Sequence, residues 1–181
     1  MKNLLILPRH KLNDRRDYNY VFPLGICYIS SVIKKEEFHL DCINLNHTSG
    51  SLDEVLKEIL KENYDNILSG NIFNGYLAIK EMIPIIRKYS PNSKIIIGGS
   101  IITCDPLAME DLKPDVGVVG EGEITIVSLL KQLEKKESIK DVKGIYYFDD
   151  GLKYTGNEEY LQELSDLPYP DLESVISPVI V

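Results

Sequence analysis

A chain of 181 residues, 44% hydrophobic and 27% charged, can bury one full-sized core and is too apolar for long disorder. Its formal net charge of −8 repels a phosphate backbone, which argues against nucleic acid as a partner. No apolar stretch approaches the roughly 20 residues of a membrane span, and Met1-Lys2-Asn3 leads into a strand-like run unlike a signal peptide, so a cytoplasmic protein with no membrane partner is expected.

Over the first hundred and thirty-odd residues, short aliphatic runs alternate with amphipathic stretches, and each change of period falls near Gly, Pro, Asn or Asp. Leu4 to Leu7, closed by Pro8, reads as a strand buried on both faces. A polar loop follows, and a helix opens at Pro23-Leu24-Gly25-Ile26 and ends in the charges Lys34 to Glu37. Leu40 to Leu45 supplies a second strand. Ser51-Leu52-Asp53-Glu54 spells a capping box for a helix with Leu52, Val55, Leu56, Ile59 and Leu60 on one face. Asn66 to Gly70 is the third strand. Tyr76 to Tyr89 is the third helix, with a kink expected at Pro84, whose ring removes a backbone donor.

Lys94 to Ile97, ending in Gly98-Gly99-Ser100, makes the fourth strand, and a short helix spans Pro106 to Leu112. Val116 to Val119 makes the fifth, ending in Gly120-Glu121-Gly122-Glu123; the helix from Ile124 to Glu137 carries Ile124, Val127, Leu130 and Leu133. Five βα repeats fit a flavodoxin-like, doubly wound parallel sheet of order 2-1-3-4-5 over residues 1–138. Residues 139–181 read as a hairpin appendage (Gly144 to Phe148, then Leu152 to Thr155) and a proline-punctuated linker through Leu167 to Asp171.

In such a sheet ligands bind at the C-terminal ends of the strands, which singles out the loops Pro8 to Phe22, Asn46 to Gly50, Ser69 to Asn74, Gly98 to Asp105 and Gly120 to Glu123. Small residues end three strands, at Ser69-Gly70, Gly98-Gly99-Ser100 and Gly120-Glu121-Gly122. Without Cβ atoms in the way, they leave a channel between the sheet edge and the helices. Tight strand-to-helix turns account for any one of these glycines alone. No G-x-G-x-x-G follows strand one, which argues against a nicotinamide dinucleotide. The acidic and lysine positions of a phosphate-receiving regulator hold Leu7-Pro8, Ser69 and Gly120, and Pro8-Arg9-His10-Lys11 is no flavin phosphate loop. Cys27, Cys42 and Cys104 are too far apart in sequence for an iron–sulfur or zinc cluster and are expected as small buried hydrophobes.

Pro23 to Ile29, Ile97-Gly98-Gly99-Ser100, Val118 to Glu123, the hairpin glycines Gly144 and Gly151, and Leu164 to Pro170 stand in an order that resembles the cobalamin-binding N-terminal domain of radical S-adenosylmethionine proteins. The chain is most similar to the group labelled anaerobic magnesium-protoporphyrin IX monomethyl ester cyclase, although a substrate is not inherited from a fold. The resemblance implies cobalamin held by Pro8, Arg9, Leu24, Gly25, Ser69, Gly70, Asn71, Gly98, Gly99, Ser100, Gly120, Glu121 and Gly122. It also implies a radical S-adenosylmethionine domain, in cis or in trans, that owns the S-adenosylmethionine and the 4Fe–4S cluster, and no catalytic residue in this chain. A homodimer is left open.

In the wider fold a D-x-H-x-x-G motif gives cobalt a lower histidine, while S-x-L and G-G pieces line the slot for the nucleotide tail. Ser69-Gly70-Asn71 keeps the serine, and Gly98-Gly99 is retained. His10 is the candidate lower ligand by loop position, but Pro8 replaces the aspartate and Asn13 the glycine; His47-Thr48-Ser49-Gly50 has the spelling after the wrong strand. Neither histidine has the partner that fixes a ligating tautomer, so the resemblance implies no histidine beneath the metal. Arg9, Lys11, Arg15 and Arg16 offer cations to phosphate or propionamide groups, or form a solvated loop; Tyr18, Tyr20 and Phe22 cover a ring face or simply pack. Two other readings remain: a cofactor-free docking module and a small nucleotide-binding protein.

Overall fold

Runs of leucine and isoleucine form central parallel strands here because helices cover both of their faces. The computed structural model describes residues 1–9, 24–70, 75–157 and 163–176. Strand β1 (Lys2–Leu7), with Leu4 to Leu7 all buried, pairs in parallel with β2 (His39–Asn44) on one side and β3 (Asn66–Gly70) on the other. β4 (Lys94–Gly98) and β5 (Val116–Val118) extend the sheet in the order β2-β1-β3-β4-β5, the flavodoxin-like arrangement expected. The hairpin, β6 (Ile145–Phe148) and β7 (Leu152–Tyr154), adds antiparallel to β5 with Ile145 opposite Val118, so it continues the same sheet to seven strands.

Helices divide between the two faces. On one lie α2 (Leu52–Ile59), α3 (Tyr76–Tyr89, unbroken through Pro84), α4 (Ser100–Cys104) and α5 (Ala108–Leu112), packed on Leu4, Ile6, Ile67, Ile95 and Ile97. On the other lie α1 (Leu24–Lys35), α6 (Glu123–Lys135) and α7 (Leu172–Ile176), over Leu5, Leu7, Leu68, Ile96 and Val116. The capping box forms: Ser51 Oγ accepts from Glu54 N at 3.3 Å, and Glu54 Oε2 accepts from Ser51 N at 3.1 Å. Among the described residues no helix is long and apolar enough to cross a membrane.

Four expectations change. Leu45 leaves β2 and opens a 3₁₀ turn, Leu45–His47. The stretch after β4 is not loop alone, because α4 starts directly behind Gly99; burial of Ile101 and Ile102 overrides the low helix propensity of Ile-Ile-Thr. In α6 the buried stripe is Thr125, Ile126, Leu129 and Leu130, and of the four residues expected inside only Leu130 is fully buried. The helix has apolar residues enough for two phases, and contact with the sheet and α1 selected one. Of the cysteines, Cys27 is buried, Cys42 partly so, and Cys104 is exposed at the end of α4.

Candidate functional site

The face carrying α1 and α6 does not close fully at the C-terminal edge of the sheet, where a cleft of about 350 Å³ opens. Its floor takes one apolar residue from each of four strands: Leu5, Leu68, Ile96 and Val118. These share a face because side chains alternate along a strand. Leu24, Gly25, Ile26 and Ile29 of α1 form one wall, and Ile126 of α6 stands in the other. Ser69, Gly70, Gly98, Gly99, Ser100, Gly120, Glu121 and Gly122 make the rim.

The width of the cleft rests on missing side chains. A methyl group on Gly25 would meet no atom within 4 Å, so this wall is thin where it lines the cleft. Gly122 has φ +84°, and a side chain on it would press on Val118 Cγ1 at 3.3 Å and Ile29 Cδ1 at 3.5 Å. Gly70 and Gly98 face one another in register, and a Cβ on Gly70 would come within 2.9 Å of the Gly98 carbonyl oxygen. The ends of β3 and β4 therefore approach as bare backbone.

One hydroxyl ties the two glycine loops together. Thr103 Oγ1 donates to Gly99 O at 3.1 Å and accepts from Gly120 N at 2.9 Å. Ser69 Oγ donates to Ile6 O at 2.8 Å, which anchors the rim of β3 to β1 and leaves the oxygen able to accept. The lining is thus apolar below and mostly backbone above, suited to a flat, weakly polar group with a few hydrogen-bonding atoms.

Ten of the residues expected around a cofactor come together here: Leu24, Gly25, Ser69, Gly70, Gly98, Gly99, Ser100, Gly120, Glu121 and Gly122. Asn71 and His10 lie outside the described residues, as do Lys11, Arg15, Arg16, Tyr18, Tyr20 and Phe22. Pro8 and Arg9 do not line the cleft. The Pro8 carbonyl accepts from Asn46 Nδ2 at 3.1 Å. Arg9 reaches the loop after β2, donating to Gly50 O at 2.8 Å, Leu45 O at 3.1 Å and Thr48 Oγ1 at 2.7 Å. That cation staples two loops, and burial lowers its pKa. His47 sits in the turn after β2, outside the cleft. Among the described residues no cluster of three or more His, Cys, Asp or Glu side chains is placed to hold a metal ion.

The apolar floor and Thr103 were not singled out from the sequence. The floor was recoverable by asking which residues of successive strands share a parity. Thr103 gave no signal, because its bond to Gly120 crosses 17 positions.

A sheet of this order with a glycine-rimmed slot between α1 and α6 is an architecture that a family match can test. Residues 14–130 match the B12 binding domain. The chain belongs to the B12-binding domain family. Cobalamin is the cofactor of that family, and the chemistry of the cleft, an apolar slot with a backbone rim, fits it. This B12-binding domain is 37% identical over 112 residues to an uncharacterized protein, MJ1620, of Methanocaldococcus jannaschii, covering 60% of this chain and 21% of that one. It is 25% identical over 181 residues to an uncharacterized methyltransferase, PH0819, of Pyrococcus horikoshii, covering 96% of this chain and 38% of that one. The domain therefore spans well under half the length of these two curated relatives.

Among solved structures, the cobalamin-dependent S-adenosylmethionine radical enzyme OxsB with aqua-cobalamin bound superposes with a TM-score of 0.76 at 21% identity, covering 95% of this chain and 24% of that one. The radical S-adenosylmethionine methyltransferase TsrM of Kitasatospora setae, with cobalamin and a [4Fe-4S] cluster bound, gives 0.75 at 14% identity, covering 93% and 31%. At these identities the likeness is one of fold.

Proposed function

We propose that this domain holds cobalamin for a radical S-adenosylmethionine enzyme, with the nucleotide tail seated in the cleft between the sheet and helices α1 and α6. The observation that carries the reading is the slot itself, with Leu5, Leu68, Ile96 and Val118 as its floor and the bare backbone of Gly98, Gly99, Gly120 and Gly122 at its rim. Its volume lies near the lower end of the roughly 300–1,000 Å³ of small-molecule clefts, room for a bicyclic base and not for a whole corrinoid. The macrocycle would rest at the sheet edge. Loss of water from the apolar floor and walls supplies the driving force for the tail, and the rim amides supply orientation.

Bound there, cobalamin supplies a cobalt centre that carries a methyl group or assists radical chemistry; S-adenosylmethionine and the 4Fe–4S cluster belong to the partner domain. The residues of this cleft would bind and orient the cofactor and exclude water from it. Of the two uses of cobalt, methyl transfer has a curated relative named as a methyltransferase beside it. The cytoplasm is the compartment that this reading calls for.

Hydroxocobalamin titration followed by desalting and visible spectroscopy tests the proposal. Wild type should retain corrin absorbance at close to one equivalent. Gly25→Phe should lose at least about tenfold in affinity, ~1.4 kcal/mol, with its melting temperature preserved, since Gly25 lines the cleft and a Cβ there meets no atom within 4 Å. A colourless wild type would overturn the reading in favour of a docking module. A melting shift with nucleotides alone would favour a nucleotide-binding protein.

A further inference from the structure

The proline-punctuated stretch beyond the hairpin returns across the molecule to α1 and to the edge strand β2. Leu167 and Val175 join the apolar cluster on the α1 face, Val175 fully buried. Asn44 Nδ2 donates to Val175 O at 3.1 Å, and Lys35 Nζ donates to Asp166 O at 3.1 Å. Several contacts converge on Asp171. Its carboxylate accepts from Ser30 Oγ at 2.6 Å, Lys34 Nζ at 2.7 Å and Ser174 N at 3.1 Å, and its own amide donates to Cys27 O at 3.1 Å.

Cys27, Ser30 and Lys34 all belong to α1, the helix that walls the cleft through Leu24, Gly25, Ile26 and Ile29. One twelve-residue helix therefore has the cleft on one side and this segment on another. A helix that short owes its position to packing and not to its own propensity. Fixing it from behind fixes the wall in front. The segment also ends beside Asn44, the last residue of β2, at the sheet edge on which the cleft opens.

We infer that residues 166–176 form a strap that sets the position of α1, with Asp171 as the positioning residue, so that docking of the strap and binding of cobalamin in the cleft reinforce each other. The inference rests on the reading of the cleft given above. Coupling of this kind is reciprocal: whatever loosens the strap weakens the cofactor, and the cofactor tightens the strap. A partner domain that pulls on the strap would thereby control cofactor retention.

Hydroxocobalamin titration and amide hydrogen exchange on wild type, Asp171→Ala and Ser30→Ala test it. Asp171→Ala should bind about fivefold more weakly than wild type, with Ser30→Ala between the two. In wild type the cofactor should slow exchange at residues 171–176, none of which lines the cleft; in Asp171→Ala that remote slowing should vanish. Equal affinity of wild type and Asp171→Ala, or exchange at 171–176 indifferent to cobalamin in wild type, overturns the strap alone. A wild type that takes up no cobalamin overturns the cofactor reading, and the coupling with it.

Discussion

On the face covered by α2 to α5, Gly117 is enclosed: a methyl group there would overlap Met109 Sδ and lie 2.9 Å from Ile102 Cγ2. On the opposite face, a methyl group at Gly25 would meet nothing within 4 Å. The same residue type thus serves opposite ends within one domain. Gly117 lets two short helices press onto β5, whereas Gly25 keeps a wall thin beside a cleft. The difference lies in what covers each face. α4 and α5 bring Ile101, Ile102, Met109 and Leu112 down onto the sheet, while on the α1 and α6 side the ends of β3, β4 and β5 line the cleft.

That contrast can be broken by substitution. The largest effect is expected at Gly117→Val, which overpacks the closed face and should cost about 3 kcal/mol in denaturant unfolding, while the folded fraction keeps its cobalamin stoichiometry. Next is Thr103→Val, which unties the Gly99 and Gly120 loops and should weaken cobalamin about tenfold, equivalent to ~1.4 kcal/mol; Thr103→Ser should restore it. An equal loss in both variants would show that the hydroxyl is not the cause. Ser51→Ala, on the closed face, removes half of the capping box and should lower stability by about 1 kcal/mol with no change in cofactor uptake.

The strap behind α1 can be probed separately through pH. Burial pushes the Asp171 carboxyl up, but hydrogen bonds from Lys34, Ser30 and Ser174 outweigh it and hold the pKa at about 2. An unfolded aspartate titrates at about 3.9, so Asp171 contributes stability that is complete above that value and is lost as pH falls through about 2. The difference in unfolding midpoint between wild type and Asp171→Asn should therefore be constant from about pH 7 to 5 and shrink between about pH 4 and 2. A difference that widens toward acid would contradict this assignment.

Strand order, parallel pairing and most of the cleft rim were legible in the chain before any coordinates. The segments and the rim follow from local chemistry, namely aliphatic runs, a Ser-x-x-Glu cap and glycines where strands turn into helices, whereas the order follows from fitting five βα repeats to a doubly wound sheet. Resemblance in the order of motifs then pointed to cobalamin. Long-range packing settled what remained. Arg9, which the resemblance places at a cofactor, staples the loop after β2, because the carbonyls it satisfies lie about forty positions along the chain and become neighbours only through β1–β2 pairing. The phase of α6, the helix at Ser100–Cys104 and the return of Asp171 to α1 were hidden for the same reason. Periodicity reports how amphipathic a segment is, but which face is buried, and against what, is fixed by partners distant in sequence.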